Sequence, residues 1–120
     1  MTSILVVEDD EVTRAALADL LDAMGYTVLS AATGAQAAEA LERLQGQVDV
    51  LLCDVQLPDA DGRELALHLG VRWPVPRFVL MSGHFMGATM PYADSDARYR
   101  WLSKPFTTAQ LKAALRPAGE

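Results

Sequence analysis

Asp49-Val-Leu-Leu-Cys-Asp54-Val-Gln-Leu-Pro-Asp-Ala-Asp-Gly62 is the stretch whose reading decides the fold. Val50 to Cys53 is a short unbroken apolar run, the pattern of a strand buried on both faces, and it stops at Asp54. Leu57-Pro58 and Asp61-Gly62 are turn chemistry, so the chain leaves the sheet directly after the acid. In a parallel sheet Asp54 then lies at the carboxyl edge, where open α/β proteins place their ligands. A carboxylate displayed there is the candidate reactive group.

Outward from this strand the same design repeats. Upstream, Ile4 to Val7 is an apolar run that ends in Glu8-Asp9-Asp10. Downstream, Arg77 to Met81 delivers Ser82-Gly83, and Arg98 to Leu102, an edge-like strand, ends in Ser103-Lys104-Pro105. Tyr26 to Ser30 supplies one more strand. Between the strands lie helical patterns. Val12, Ala16, Leu17, Leu20, Leu21 and Met24 recur at three- and four-residue steps over Glu11–Met24, and Gly25 stops them. Thr33 and Gln36 form a capping box for a helix through Leu44, with Leu41 and Leu44 supplying much of its buried stripe. Asp61 and Glu64 are spaced for a reciprocal cap on a helix from Gly62 to Leu69, and Thr107 and Gln110 for one on a last helix to about Arg116. Trp73-Pro74-Val75-Pro76 is a stiff connector. His84 to Ala97, with Gly87, Pro91 and Asp94-Ser95-Asp96, supports at most a short or broken helix. Strands alternating with helices along the whole chain imply one α/β domain over residues 1–120, a parallel sheet with helices on both faces.

Composition narrows the function. A net charge of -6, from ten basic and sixteen acidic residues, opposes direct nucleic-acid binding, which needs a basic surplus. No apolar run approaches the roughly 18 residues that span a bilayer, and the first residues lack the basic flank of a signal peptide. The single cysteine, Cys53, sits in an apolar strand and is expected to be a buried, reduced thiol. These features point to a cytoplasmic protein.

The strand ends gather Glu8, Asp9 and Asp10, Asp54, Ser82 and Lys104 at one edge. Crowded carboxylates repel one another unless a cation neutralises them, and an all-oxygen site suits Mg2+. Lys104 adds a fixed positive charge and Ser82 a neutral donor, which together make a clamp for phosphoryl oxygens. An Asp within such a clamp can itself accept the phosphoryl group.

In these motifs the chain resembles the receiver domains of two-component response regulators. The likeness rests on Ile4-Leu5-Val6-Val7-Glu8-Asp9, Asp54-Val-Gln-Leu-Pro-Asp-Ala-Asp-Gly62, Met81-Ser82-Gly83 and Leu102-Ser103-Lys104-Pro105-Phe106, and covers nearly all of the sequence. The resemblance implies a flavodoxin-like (βα)5 doubly wound sheet of order 2-1-3-4-5. It implies that Asp54 is the phosphoacceptor, fed by a histidine kinase, a histidine phosphotransfer protein or a small acyl phosphate. It places Mg2+ on Glu8, Asp9, Asp54 and the main-chain carbonyl of Gln56, with Asp9 the direct ligand of the acidic pair. Lys104 would pair with the carboxylate and then with the phosphate, Ser82 would move to the phosphate, and Pro105 would follow a cis peptide. Trp101 stands where the family usually carries a Tyr or Phe that swings inward on activation. The implied output is a downstream protein partner, met by the face around the fourth and fifth strands and the last helix. A stand-alone regulator and the receiver piece of a hybrid kinase fit equally well.

Rival readings remain. A degenerate receiver would keep these residues and work without phosphate, as a protein-interaction module. An Mg2+-dependent phosphatase with an aspartyl intermediate would want a second acid where Gln56 stands. A flavodoxin-like electron carrier would want a Ser/Thr/Gly-rich phosphate loop where the first strand leads into three acids.

Overall fold

Three apolar runs, with two mixed stretches at the edges, become the five strands of one parallel sheet in a computed structural model of the chain, which describes residues 2–83 and 97–116. In chain order the elements are β1 (Ser3–Val7), α1 (Glu11–Ala23), β2 (Thr27–Ala31), α2 (Gly34–Leu44), β3 (Val50–Asp54), α3 (Gly62–Arg72), β4 (Arg77–Ser82), β5 (Tyr99–Ser103) and α4 (Thr108–Leu115). The sheet order is β2-β1-β3-β4-β5, and every neighbouring pair is parallel. This is the expected doubly wound order. The helix expected between β4 and β5, on 84–97, lies outside the described residues except at Ala97.

Side chains of a strand alternate between the two faces of the sheet, so a strand covered on both faces must be apolar throughout. Leu5, Val7, Leu51, Cys53, Phe78 and Leu80 point to one face, where Ala37 and Leu41 of α2 and Ala66 and Leu69 of α3 cover them. Ile4, Val6, Val50, Leu52, Val79 and Met81 point to the other, against Leu17 and Leu21 of α1 and Leu111 and Leu115 of α4. Each fully buried Leu or Val contributes about 1.5–3 kcal/mol. The register aligns Val7 with Cys53, Asp54 with Met81 and Ser82 with Ser103, which brings the polar strand ends to one edge.

Local details depart from the sequence reading where tertiary contacts intervene. Helix α3 runs to Arg72, past the expected end at Leu69, and stops at Trp73, which is extended as a residue before proline must be. Strands β2 and β5 each begin one residue later than expected, at Thr27 and Tyr99. Val12 and Ala16 of the expected apolar stripe are exposed, and Leu17 and Leu21 carry the buried face of α1. The Thr107–Gln110 capping box forms in full. At α2 Thr33 Oγ1 accepts from the Gln36 N–H, but Gln36 Oε1 turns back to the Ala32 N–H. Asp61 caps α3 through the Arg63 N–H and grips the Arg63 guanidinium; a return bond from Glu64 is not among those of the described residues. Arg77, expected merely to open β4, is almost fully buried and donates to the Ala97 carbonyl at 2.6 Å.

Gly70 explains why α3 tolerates a glycine in its last turns. A Cβ there would meet Tyr99 Oη at 2.1 Å, and that ring is buried, stacked on Phe78 at 4.8 Å between centroids. Gly70→Ala is expected to lower stability by about 2 kcal/mol, overpacking outweighing the gain in helix propensity. A urea midpoint equal to that of the parent would refute this packing.

Candidate functional site

The carboxyl edge of the sheet brings the ends of β1, β3 and β5 together. Lys104 Nζ lies 3.1 Å from Glu8 Oε1 and 2.5 Å from Asp54 Oδ2. Glu8 and Asp54 are only 2% and 8% exposed, so neither is a solvated cap. One carboxylate oxygen from each of Glu8, Asp9 and Asp54 falls within 4.8 Å of the others. The oxygens of Asp54 and Glu8 that do not meet Lys104 are also engaged. Asp54 Oδ1 accepts from the Gln56 N–H at 2.8 Å, and Glu8 Oε2 from the Asp10 N–H at 3.2 Å.

Burial pushes the Glu8 carboxyl above its ordinary range, and the nearby Asp54 charge adds to this, against the Asp10 N–H and the Lys104 ammonium, which pull it down. Burial also works against the Lys104 charge, but the hydrogen bonds to Asp54 and Glu8 outweigh it and hold the ammonium above its usual range. The lysine is therefore charged at neutral pH. Burial beside Asp54 and Glu8 raises Cys53 far above the ordinary thiol range, and its Sγ donates to the Asp54 carbonyl at 3.2 Å. This thiol is structural.

The three consecutive acids separate by role. Asp10 is the N-cap of α1, its Oδ2 accepting from the Thr13 N–H at 2.9 Å and the Thr13 hydroxyl at 2.6 Å. Only Glu8 and Asp9 are left for the site. The Asp10-x-x-Thr13 spacing is an N-cap signal legible in sequence. Arg14 was not legible: its Nη1 donates to the main-chain carbonyls of Glu8 at 2.9 Å and Asp9 at 3.3 Å, clamping the acidic loop from α1. Ser82 closes β4, and its carbonyl accepts from the Lys104 N–H at 2.8 Å, linking the two strand ends. The Lys104–Pro105 peptide is cis. Trp101 is half-buried against the core on the α2–α3 side of the sheet, and the Gln56 side chain is exposed. Behind Asp54 the chain passes so close that a Cβ on Gly62 would meet the Asp54 carbonyl oxygen at 2.2 Å.

Three carboxylates against one ammonium leave a formal charge of -2 when all are ionised, which a divalent cation would balance. The oxygen-only donor set suits a hard ion such as Mg2+, so the residues fit that cofactor.

A family model for the response regulator receiver domain matches residues 4–116. The response regulator receiver protein CpdR of Brucella abortus is 35% identical over 112 residues, covering 92% of this chain and 91% of CpdR. The sensor kinase CckA of the same organism is 35% identical over 114 residues, 95% of this chain, but the chain spans only 12% of the length of CckA. Among solved structures, the signal receiver domain of an HD domain-containing protein from Pseudomonas fluorescens superposes with a TM-score of 0.83 at 29% identity, covering 96% of this chain and 91% of that one.

Proposed function

The chain belongs to the response regulator receiver family, a family of signalling domains, and from that premise we propose that residues 1–120 form one receiver domain in which Asp54 accepts a phosphoryl group. One observation carries the reading: the Lys104 ammonium lies between the Glu8 and Asp54 carboxylates, with a carboxylate oxygen of Asp9 within 4.8 Å of one from each of them. A carboxylate oxygen of Asp54 forms the new bond to phosphorus as the donor's P–N or P–O bond breaks. The imidazole of a phosphohistidine or the carboxylate of an acyl phosphate leaves, and an acyl phosphate remains on Asp54. Glu8, Asp9, Asp54 and the Gln56 carbonyl would hold Mg2+, which, when bound, supplies charge neutralisation for the carboxylates and the phosphoryl oxygens.

Lys104 then transfers its hydrogen bond from Asp54 to a phosphoryl oxygen, and Ser82 donates to another. These two movements, with Trp101 beside them on β5, bias the face around β4, β5 and α4 toward a second arrangement that a downstream protein reads. The donor is a histidine kinase or a histidine phosphotransfer protein. Relatives named as a receiver protein and as a sensor kinase support both a stand-alone regulator and a hybrid-kinase receiver. No helix among the described residues is long and apolar enough to cross a membrane. The net charge of -6 favours protein partners over nucleic acid.

Incubation with acetyl phosphate and Mg2+ tests the assignment by intact mass. The parent gains about 80 Da, and Asp54→Ala gains nothing. A gain in both proteins overturns the choice of Asp54; a gain in neither favours a receiver that works without phosphate. Sustained hydrolysis of a generic phosphate ester would make the protein a phosphatase instead.

A further inference from the structure

The loop from Val55 to Asp61 carries Gln56 away from the site and back into α3. Its base is closed by the Gly62 N–H donating to the Val55 carbonyl at 2.7 Å and by an antiparallel bridge between Gln56 and Asp61. Its far end reaches a different element. Asp59 Oδ1 accepts from the Gly34 N–H at 2.8 Å, and Oδ2 from the Ala35 N–H at 2.9 Å. These two donors hold the Asp59 carboxyl below its ordinary range.

Helix α2 already has its own cap, since Thr33 takes the Gln36 N–H and Gln36 takes the Ala32 N–H. Asp59 takes the two first-turn amides that this cap leaves over, and so completes the helix end from a loop 25 residues away in sequence. The approach depends on Gly34, where a Cβ would stand 3.2 Å from Asp59 Oδ1 and 3.3 Å from the Ala60 Cβ. A side chain serving only α2 would not need the phosphoacceptor loop to reach it. Leu57 packs on the core from the same loop, but an apolar contact leaves the loop free to rotate about it, whereas two directed bonds fix its orientation.

We infer that Asp59 is a positioning residue for the cation site: by pinning the far end of the β3–α3 loop to the amino end of α2, it holds the Gln56 main chain in place beside Asp54. The inference rests on the phosphoacceptor reading above, which assigns the Gln56 carbonyl to the cation. It adds a residue that acts on the site entirely through backbone placement.

The test compares the parent chain, Asp59→Ala and Asp59→Asn by amide hydrogen exchange, by calorimetric Mg2+ titration and by uptake of phosphate from acetyl phosphate. In Asp59→Ala the Gly34 and Ala35 amides lose protection and Mg2+ affinity falls about tenfold, the scale seen when a partner of a metal ligand is removed. Labelling returns to the parental level once Mg2+ is saturating. Asp59→Asn, which keeps one oxygen without the charge, falls between. A cap of purely structural value would lower the unfolding midpoint and leave Mg2+ affinity unchanged; that result overturns the inference, as does persistent protection of both amides. Should Asp59→Ala fail to fold, Asp59→Asn is judged by the same comparison. A parent that neither binds Mg2+ nor gains phosphate sinks the phosphoacceptor reading and this inference with it. A parent that does both, beside a folded Asp59 variant of equal Mg2+ affinity, sinks the positioning role alone.

Discussion

Lys104→Met is expected to cost about 3 kcal/mol of stability at pH 7 without Mg2+, the low end for breaking a buried ion pair, because Lys104 keeps part of its side chain in water. The substitution leaves the Glu8 and Asp54 carboxylates buried at one strand edge with no cation between them. Glu8 already titrates above its ordinary value of 4.5, so its stabilising contribution is full below that value and is lost as pH rises through the raised one. Removing the ammonium raises it further. The deficit of the variant is therefore largest near neutrality and narrows on acidification toward pH about 4.5. Lys104 itself, raised from 10.5, contributes fully below that value and fades as pH rises through its own shifted one, so strong alkali erodes the parent's advantage. Millimolar Mg2+ should recover much of the loss at pH 7, since a divalent ion replaces the missing charge. It should not recover phosphate uptake, expected to fall about a hundredfold with the loss of a donor to the phosphoryl oxygens. Urea denaturation at several pH values, with and without Mg2+, decides the matter. A deficit independent of both pH and Mg2+ would mean that Lys104 acts by packing alone.

Gly62→Ala should be comparably damaging for a different reason. The added Cβ would meet main-chain atoms, with the Asp54 carbonyl oxygen at 2.2 Å and the Val55 Cα at 2.8 Å, and backbone cannot step aside as a flexible side chain can. Either α3 moves away from the sheet or the end of β3 bends, and the Gly62 to Val55 hydrogen bond at 2.7 Å is lost with either movement. The expected cost is about 3 kcal/mol or more, a large share of the roughly 5–15 kcal/mol that holds a domain of this size folded. Because the displaced atoms belong to Asp54 itself, phosphate uptake should fall more than stability alone explains, even where the variant remains folded. Gly83→Ala is the control: its Cβ meets nothing within 4 Å among the described residues, and stability should change by less than about 0.5 kcal/mol. Equal behaviour of the two variants would show that close approach at Gly62 is unimportant.

Much of this fold was legible because parallel sheets make strong, redundant demands on sequence. Val50 to Cys53 could be placed without coordinates: a run with no polar residue has no solvent face, and the turn residues after Asp54 end it. The Thr107–Gln110 cap was equally local and forms as read. The end of α3 was not local. Gly70 looks like a helix stop, but it is small because Tyr99 lies against it, and that contact joins residues far apart in the chain. The same holds for Gln36, whose amide turns to Ala32 while Asp59 takes the free amides of Gly34 and Ala35.

Within the site, residue types and their places at strand ends determined which groups could meet, since strands of one parallel sheet deliver their carboxyl ends to one edge whatever the intervening helices contain. Sequence also carried the Asp10-x-x-Thr13 cap that separates the third acid from the pair before it, although the bare run of acids concealed it. Tertiary structure alone decided the contacts that depend on direction: Lys104 reaching both carboxylates, Arg14 clasping the loop of Glu8 and Asp9, and the backbone of α3 passing behind Asp54 at Gly62. Periodicity records which face of an element is buried. The angle and distance at which two elements cross come from packing the whole core at once, and no single stretch of the chain contains them.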